Sequence, residues 1–238
     1  VLVSESLGWM KPQGVSAKGS ARFTFSDEGT KVSGLALDGD GFSISGEADF
    51  YPSGAVRTFN IPTFKLESAA DISMSGARDQ TGMLSTTIAG KYLNGGELIR
   101  RMIDEGGDSA DKTPFALSAK IDHLDLRAGA SYRNAVLDFS RNADHIDALQ
   151  FSAVGASAGA PLSITLSSAA AADDAAQTVE AKSEDVGAML AGIFGLTSVK
   201  GGEGRLEFSF TPGAADAPRA GALQARDLRV VKAPLLAK

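Results

Sequence analysis

The residues with the clearest catalytic potential are a serine and two histidines. Residues Gly155–Gly159 match the G-x-S-x-G pattern of a nucleophile elbow, with Ser157 in the central position. Such an elbow needs a strand before the serine and a helix after it, so that the hydroxyl is exposed on a sharp turn. Here Ala160-Pro161 and a second strand pattern, Leu162–Ser167, follow instead. The spacing therefore predicts a hairpin loop of small residues rather than an elbow.

His123 and His145 are the chain's two histidines, and neither has an obvious catalytic partner close in sequence. His123 falls in a strand pattern, whereas His145 falls in a polar stretch that we interpret as a turn. A general base or a metal ligand would need partners brought from elsewhere in the fold. We expect surface or edge positions for both. A hydrolase that uses Ser157 is the third of three hypotheses, and it requires one histidine within hydrogen-bond reach of that hydroxyl.

Two glycine-containing segments share part of a ligand-binding pattern but lack the residues that would bind. Asp38–Gly41 begins like a calcium loop, yet it has neither the third ligand position nor the distal glutamate. Gly201–Gly204 follows a helical pattern and precedes a strand, whereas a phosphate cradle needs the reverse order. The chain has no cysteine, which excludes thiol chemistry and disulfides. We predict no catalytic residue, no metal site and no cofactor.

Composition favours one large β domain or two smaller ones. The chain has 238 residues, of which 43% are hydrophobic, enough to bury a core. Its net charge is −6 with no basic run, so nucleic acid is not an expected partner. No apolar stretch is long enough to span a membrane. We expect a single segment, residues 1–238, cut from a longer protein at both ends, with the best internal boundary near 104–113.

Period-2 alternation of apolar and polar residues dominates the chain and predicts strands. Phe42–Phe50 alternates residue by residue. Apolar or small residues occupy every second position from Phe64 to Gly76. This spacing predicts one long strand or two strands joined by a bulge near Ser68. Similar runs lie at Leu84–Tyr92, Phe115–Ile121, Leu162–Leu166 and Leu206–Phe210. Each run has one apolar and one polar face, which favours antiparallel meanders with one dry side.

Two segments show helical rather than alternating spacing. Glu97–Asp104 and Ser183–Phe194 both place apolar residues three and four positions apart. Ser183 is the predicted N-cap of the second helix. Each helical segment follows a strand pattern and precedes a glycine pair, which we interpret as a weak internal repeat. Ala169–Ala176 is rich in alanine and aspartate, and we interpret it as a hairpin loop.

The second helical segment and the residues after it resemble the AsmA-like C-terminal region. Residues 182–202 (KSEDVGAMLAGIFGLTSVKGG) are similar to that family's S-x-D-x-G-x-L-L helix, its short apolar run and the glycine pair that opens a strand. Residues 221–237 look like its G-x-L…A-P-x-L-A segment. The resemblance extends from Lys65 to Lys238. Asn94 departs from it, because an aspartate is usual at that position.

The resemblance implies a non-enzymatic, mainly β periplasmic segment of a protein anchored in the inner membrane. Members of the family have a long, twisted antiparallel sheet curled into a groove with an apolar lining. They are similar to bridge-like lipid transfer proteins and are linked to phospholipid transport and outer-membrane homeostasis. The expectation for this chain is therefore a groove that binds or conducts phospholipid, or another acyl-chain lipid, between the two membranes of a bacterial envelope.

The residues themselves are compatible with a groove but also with a closed interior. A sheet with one apolar face must cover that face or leave it to an apolar ligand, and only two short helices are available as cover. Small inward residues such as Gly46 and Gly90 are expected to leave room for a ligand. The alternative is a closed β-sandwich, an envelope scaffold that recognises a protein by a sheet edge. The groove hypothesis predicts nine lining residues: Phe42, Ile44, Phe50, Phe64, Leu66, Ile72, Met74, Leu84 and Ile88.

Overall fold

A computed structural model of the chain describes residues 3, 4, 7, 9–11, 14, 16–104, 113–142, 145–168, 176–211 and 220–231. Within these ranges the protein is mainly β with two short helices, as predicted. Three of the features predicted from the sequence lie largely or wholly outside them. They are the boundary near 104–113, the loop Ala169–Ala176 and the A-P-x-L-A residues after 231.

Helices occur in the described ranges at the two segments that show helical spacing. They are α1 (Gly96–Asp104) and α2 (Val186–Phe194), and a 3-10 turn covers Arg127–Gly129. The strands in chain order are β1 (Val3–Ser4), β2 (Trp9–Met10), β3 (Ala17–Ser26), β4 (Gly29–Gly39), β5 (Phe42–Phe50), β6 (Val56–Leu66), β7 (Ala70–Arg78), β8 (Leu84–Asn94), β9 (Phe115–Asp125), β10 (Ser131–Asn142), β11 (His145–Gly155), β12 (Pro161–Ser168), β13 (Gln177–Ser183), β14 (Val199–Lys200), β15 (Glu203–Phe210), β16 (Ala220–Arg226) and β17 (Arg229–Val230).

Thirteen strands form one sheet that does not close on itself. Their order is β16-β15-β13-β12-β11-β10-β9-β8-β7-β6-β5-β4-β3, so β3 and β16 are its edges. All pairs are antiparallel except β8 and β9, which are parallel because the connection through α1 returns the chain to the end where β8 began. The predicted long open sheet is confirmed. The alternative of a closed β-sandwich is wrong, because these strands form one sheet rather than two facing sheets.

The pairing register places the apolar positions of all thirteen strands on one side of the sheet. On one half of the sheet, Ile44 of β5 pairs with Phe64 of β6, and Phe64 pairs with Ile72 of β7. On the other half, Leu206 of β15 pairs with Leu223 of β16. Paired residues share a face, so these side chains belong to one continuous surface. We call it the groove face, and the opposite side the outer face.

The run from Phe64 to Gly76 is neither one strand nor two strands joined by a bulge. A tight turn reverses the chain between Leu66 and Ala70, and Ser68 at its centre has a left-handed backbone with φ 62°. The residues at every second position still share one face across this turn, because Leu66 and Ala70 pair directly on the groove face. The prediction was wrong because no glycine, proline or asparagine marks this turn in the sequence.

A second correction concerns the strand that ends near Tyr92. The register between β7 and β8 shifts beside Gly90, which leaves Lys91 as a bulge. Leu93 therefore takes the next groove-face position. Tyr92 instead stacks on His123 on the outer face, with 5.7 Å between the ring centroids. The run Leu84–Tyr92 keeps its predicted parity only as far as Gly90.

Candidate ligand-binding face

One end of the groove face is filled by protein, and we call it the covered end. Leu162, Val186 and Met189 are its largest fully buried side chains, each at most 2% exposed. Helix α2 contacts β13, β15, α1 and the turn Arg127–Gly129. The core that forms under the helices contains Ala70, Ile72, Ile121, Leu124, Ala130, Tyr132, Ala135, Ala153, Leu162, Ala181, Val186, Met189 and Leu190.

Helix α2 is held at this end by a cap that differs from the predicted one. The carboxylate of Asp185 accepts a hydrogen bond from the Ala188 backbone N–H at 2.9 Å, so Asp185 is the N-cap. The hydroxyl of Ser183, the predicted cap, instead accepts from the Asp185 backbone N–H at 3.0 Å. The cap prediction was therefore wrong by two residues, because Ser183 orders the turn that leads into the helix.

The glycine pair after α2 closes the same helix end. The carbonyls of Gly202 and Gly201 accept hydrogen bonds from the first-turn N–H groups of Val186 and Gly187, at 2.8 and 3.0 Å. The chains approach so closely that a Cβ on Gly187 would lie 2.6 Å from the Cα of Lys200. The helix N-terminus is therefore satisfied within the protein, and this glycine-rich segment serves the packing of α2.

The N-terminal hairpin β1–β2 covers a neighbouring part of the groove face. Trp9 packs edge-on against Phe42, with 5.6 Å between the ring centroids. Leu7 contacts both this cluster and the core under the helices. Phe42 and Leu66 are 4% and 3% exposed. These two predicted lining residues therefore lie in a filled core.

Among the described residues, apolar side chains are exposed toward the opposite end of the groove face, which we call the open end, and on both edge strands. Phe23 and Phe25 on β3 are 58% and 76% exposed, and Leu223 on β16 is 44% exposed. Nearer the middle of the sheet, Met74 and Ile88 are half-buried. Met74 and Ile88 also pack against the core under the helices, so they lie at its margin. Among the described residues, the groove face thus changes from a closed core under the helices to exposed apolar side chains on the edge strands.

All nine predicted lining residues share the groove face. They differ in burial, since Phe42, Leu66 and Ile72 are buried, whereas the other six are partly exposed: Ile44, Phe50, Phe64, Met74, Leu84 and Ile88. Their role in lipid contact stays a prediction. The other half of the groove face is absent from the predicted lining, although alternation alone could have added it: Leu117, Leu137, Phe139, Leu149, Phe151 and Phe208.

The small groove-face residues do not leave the room that the sequence suggested. A Cβ on Gly46 would lie 2.6 Å from Cδ1 of Ile61, and a Cβ on Gly90 would lie 2.6 Å from Cγ2 of Ile72. Large side chains on neighbouring strands therefore lie over these glycines, as bulky residues often do in sheets. The positions of Gly46 and Gly90 are therefore filled by neighbouring atoms and do not form slots for a ligand.

The outer face near the covered end carries a polar cluster around Asp125. Its carboxylate accepts hydrogen bonds from Ser131 at 2.5 Å and from the Tyr92 hydroxyl at 2.9 Å, and it contacts His123 Nε2 at 3.0 Å. Burial acts to raise the pKa of Asp125, but the hydrogen bonds from these three side chains outweigh it and hold the pKa below its usual value. His123 is therefore paired with an acidic side chain, Asp125, on the outer face of the sheet.

Ser157 and the two histidines lie in three separate segments of the sheet and its loops. Ser157 lies in the predicted hairpin loop, between β11 and β12, and among the described residues no hydrogen bond joins it to either histidine. His123 and Ser157 do line one cavity of about 530 Å³ at the covered end. His145 is the first residue of β11 rather than a turn residue. Its Nε2 lies 2.7 Å from Oδ1 of Asp147.

The parts of the chain that the structure describes contain no group of three or more acidic or histidine side chains placed to hold a metal ion. In those same parts, neither helix has the length and apolar character needed to cross a membrane. No protein-family model matches this chain, and no curated protein matches it. The AsmA-like resemblance stays a prediction that rests on the residues quoted above.

Proposed function

We propose that the groove face binds the acyl chains of a phospholipid, and that the chain carries or guides lipid between the inner and outer membranes. In this proposal it is a periplasmic section of an AsmA-like protein anchored in the inner membrane, and it supports outer-membrane homeostasis. The observation that carries the proposal is an apolar face that continues over thirteen strands and that, among the described residues, is covered at one end and exposed on its edge strands.

The energetic argument concerns the exposed aromatic residues. Apolar surface left in water costs about 25 cal/mol per Å², and a phenylalanine or tyrosine buries roughly 150–250 Å². Phe23, Phe25 and Phe208 keep 58%, 76% and 38% of their surface exposed. Contiguous exposed apolar patches of more than a few hundred Å² are uncommon on monomeric proteins and mark binding sites. Hydrocarbon chains would remove this surface from water without needing hydrogen bonds.

The test uses two variants matched across one strand pair. Met74 and Ile88 pair on the groove face of β7 and β8, and Ser75 and Thr87 pair on the outer face beside them. Replacing Met74 and Ile88 by asparagine should weaken binding of a tail-labelled phospholipid roughly tenfold or more, since each side chain contributes about 1.5–3 kcal/mol when buried. Replacing Ser75 and Thr87 by asparagine should leave binding unchanged.

Lipid extraction and native mass spectrometry of the purified protein provide the second arm. We expect phospholipid to copurify with the wild-type chain and to be lost from the Met74→Asn/Ile88→Asn variant. Repeated recovery of lipid-free wild-type protein that also takes up no labelled lipid would contradict the proposal.

An interaction scaffold is the second candidate, and the edge strand β3 favours it. Every residue of Ala17–Ser26 is exposed, and β3 pairs only with β4 in the described sheet. Exposed edges are templates for strand addition by another protein. A photocrosslinking residue at Thr24 should join a protein partner under this hypothesis, whereas the same residue at Thr87 should not. Capture at neither position would count against the scaffold.

A further inference from the structure

The edge strand β3 has one regular segment that is free to pair with a further strand. Every residue of Ala17–Ser26 is exposed, and among the described strands β3 pairs only with β4. The register between β3 and β4 shifts between Ser20 and Arg22, so the regular part of the edge is Arg22–Ser26. Backbone N–H and C=O groups that point away from β4 along this segment can hydrogen-bond to an added strand.

The groove-face side of this segment is aromatic. Phe23 and Phe25 are 58% and 76% exposed, and their rings stack with 6.4 Å between the centroids. They pair with Val32 and Thr30 of β4 on one side, and no described strand lies on the other side. A strand added at this edge would place its own side chains directly opposite the two rings. Apolar residues at those positions would remove the rings from water and continue the groove face by one strand.

The outer-face side of the same segment is basic. Arg22 lies two residues before Thr24, and Thr24 pairs with Lys31 of β4, so the two cations are neighbours on the outer face. Both are exposed, and neither takes part in an ion pair among the described residues. Asp49, which lies opposite Lys31 on β5, is paired with Arg57 at 3.4 Å. The edge therefore presents positive charge that complements an acidic partner.

These charges and the backbone groups narrow the kind of occupant. A second copy of this chain that paired through β3 would bring Arg22 and Lys31 of both copies together on one face, and like charges across strands are destabilising. An acyl chain over the edge would cover the outward backbone groups without pairing them, which costs free energy. The acidic residues Asp27 and Glu28 lie in the turn beyond the strand. A partner with a peptide backbone and acidic side chains satisfies both the hydrogen bonds and the charge.

We propose that Arg22–Ser26 receives an extended segment of a partner protein in which apolar residues alternate with aspartate or glutamate. The apolar side chains of that segment lie over Phe23 and Phe25, and its carboxylates lie near Arg22 and Lys31. The inference rests on the second candidate of the proposed function and deepens it by naming the binding segment and the chemistry of the partner. It does not require lipid binding, although an added apolar strand would widen the groove face.

The experiment uses two synthetic peptides that differ only in charge. In both, valine alternates with a charged residue, which is glutamate in one peptide and lysine in the other. Each is labelled, and its binding to the full chain is measured by fluorescence anisotropy. Wild-type protein should bind the glutamate peptide about tenfold more tightly, because exposed cations attract one peptide and repel the other. This preference should fall as salt is raised from about 0.05 to 0.5 M, because salt screens exposed charges.

Three controls separate charge, position and backbone pairing. Arg22→Glu/Lys31→Glu should reverse the preference. Lys120→Glu/Arg133→Glu makes the same change on the outer face of the central strands β9 and β10, and it should leave the preference unchanged. N-methylation of the glutamate peptide removes its backbone donors and should abolish binding, since strand addition depends on main-chain hydrogen bonds. The peptide comparisons use wild-type protein, so they decide the question even if a variant fails to fold.

The outcomes distinguish this inference from the candidate on which it rests. Equal binding of both peptides, or a preference that persists in Arg22→Glu/Lys31→Glu, would overturn the acidic partner. Unchanged binding of the N-methylated peptide would overturn strand addition. Capture of a protein partner at Thr24 despite either result would leave the scaffold candidate intact, whereas no capture and no peptide binding would overturn both. A crosslink from Thr24 to a second copy of this chain would show self-association in place of the proposed partner.

Discussion

The covered and open ends of the groove face are built from the same strands but differ in what lies over them. Under the helices the core side chains are at most 8% exposed. Toward the open end and the edges, aromatic and aliphatic residues on the same face keep 38–76% of their surface in water. Alternation makes one side of each strand apolar. Whether that side is buried in a core depends on whether other elements of the protein pack over it.

Simple dimensions explain why the cover is incomplete. Eleven-residue strands such as β9 are about 36 Å long, and thirteen strands span about 60 Å. Each nine-residue helix is about 14 Å long and about 10 Å wide. Within the described residues, these two helices and one short hairpin are therefore too small to cover the whole face. Both helices also contact each other, so their cover is concentrated at one end.

The largest expected effect comes from removing a core side chain at the covered end. Leu162 is 2% exposed, and Leu162→Ala should lower the free energy of unfolding by about 2–5 kcal/mol, because a buried cavity remains. Leu223→Ala, at a site 44% exposed, should cost less than about 1 kcal/mol. Denaturant titration of both variants measures the contrast. Equal losses would show that the edge strand β16 is as well packed as the covered end.

The next effect is confined to alkaline pH and concerns Tyr132. Burial, and secondarily the charge of Asp185, raises the pKa of Tyr132 to about 12. The unfolded chain releases the phenol proton near pH 10, whereas the folded chain keeps it. Stability from this group is therefore complete below pH 10 and is lost as pH rises toward 12, by roughly 2–3 kcal/mol.

Tyr132→Phe should remove this alkaline loss and change stability little at pH 7, because the buried hydroxyl has no hydrogen-bond partner in the described structure. Tyr51→Phe keeps the ring that lies 4.5 Å from the Arg57 guanidinium carbon and serves as the control. Denaturant titrations at pH 8 and pH 11 provide the measurement. A Tyr132→Phe chain that loses as much stability as wild type would exclude this tyrosine as the cause.

The cap of α2 should have a smaller effect. Asp185→Ala removes the acceptor of the Ala188 N–H and should destabilise the chain by about 1 kcal/mol. Glu184→Ala, at the adjacent exposed position, should cost less than about 0.5 kcal/mol. Ser183→Ala provides the comparison with the sequence-based assignment. If it cost clearly more than Asp185→Ala, Ser183 would be the more important cap.

The sequence predicts the elements well where local periodicity determines them. Phe42–Phe50, Phe115–Ile121 and Leu206–Phe210 all lie in the strands that alternation indicates, and both helices form where the spacing changes. The reversal at Ser68 was not predictable from turn residues, because a serine occupies the left-handed position. The isolated Gly90 is a local signal of a bulge, but the position of the extra residue, Lys91, depends on the register with the neighbouring strand.

The sequence predicts which residues share the groove face, but it does not predict which of them are buried at the covered end. Alternation places Ile44, Phe64 and Ile88 on one side, yet only tertiary contacts show that Ile72 is under the helices and Met74 is half-buried.

The smallest effect tests whether stability at the covered end comes from one side of the sheet only. Lys65 and Asp71 form an ion pair at 3.6 Å on the outer face, with side chains 57% and 38% exposed, directly behind the Leu66–Ala70 pair. Exposed pairs contribute about 0–1 kcal/mol and are screened by salt. Lys65→Gln should therefore change the free energy of unfolding by less than about 0.5 kcal/mol. Leu66→Ala, one residue away on the groove face, should cost about 2–5 kcal/mol. A loss for Lys65→Gln that approached the loss for Leu66→Ala would mean that the polar face also holds this end together, and the contrast between the two ends would then not be a matter of apolar cover alone.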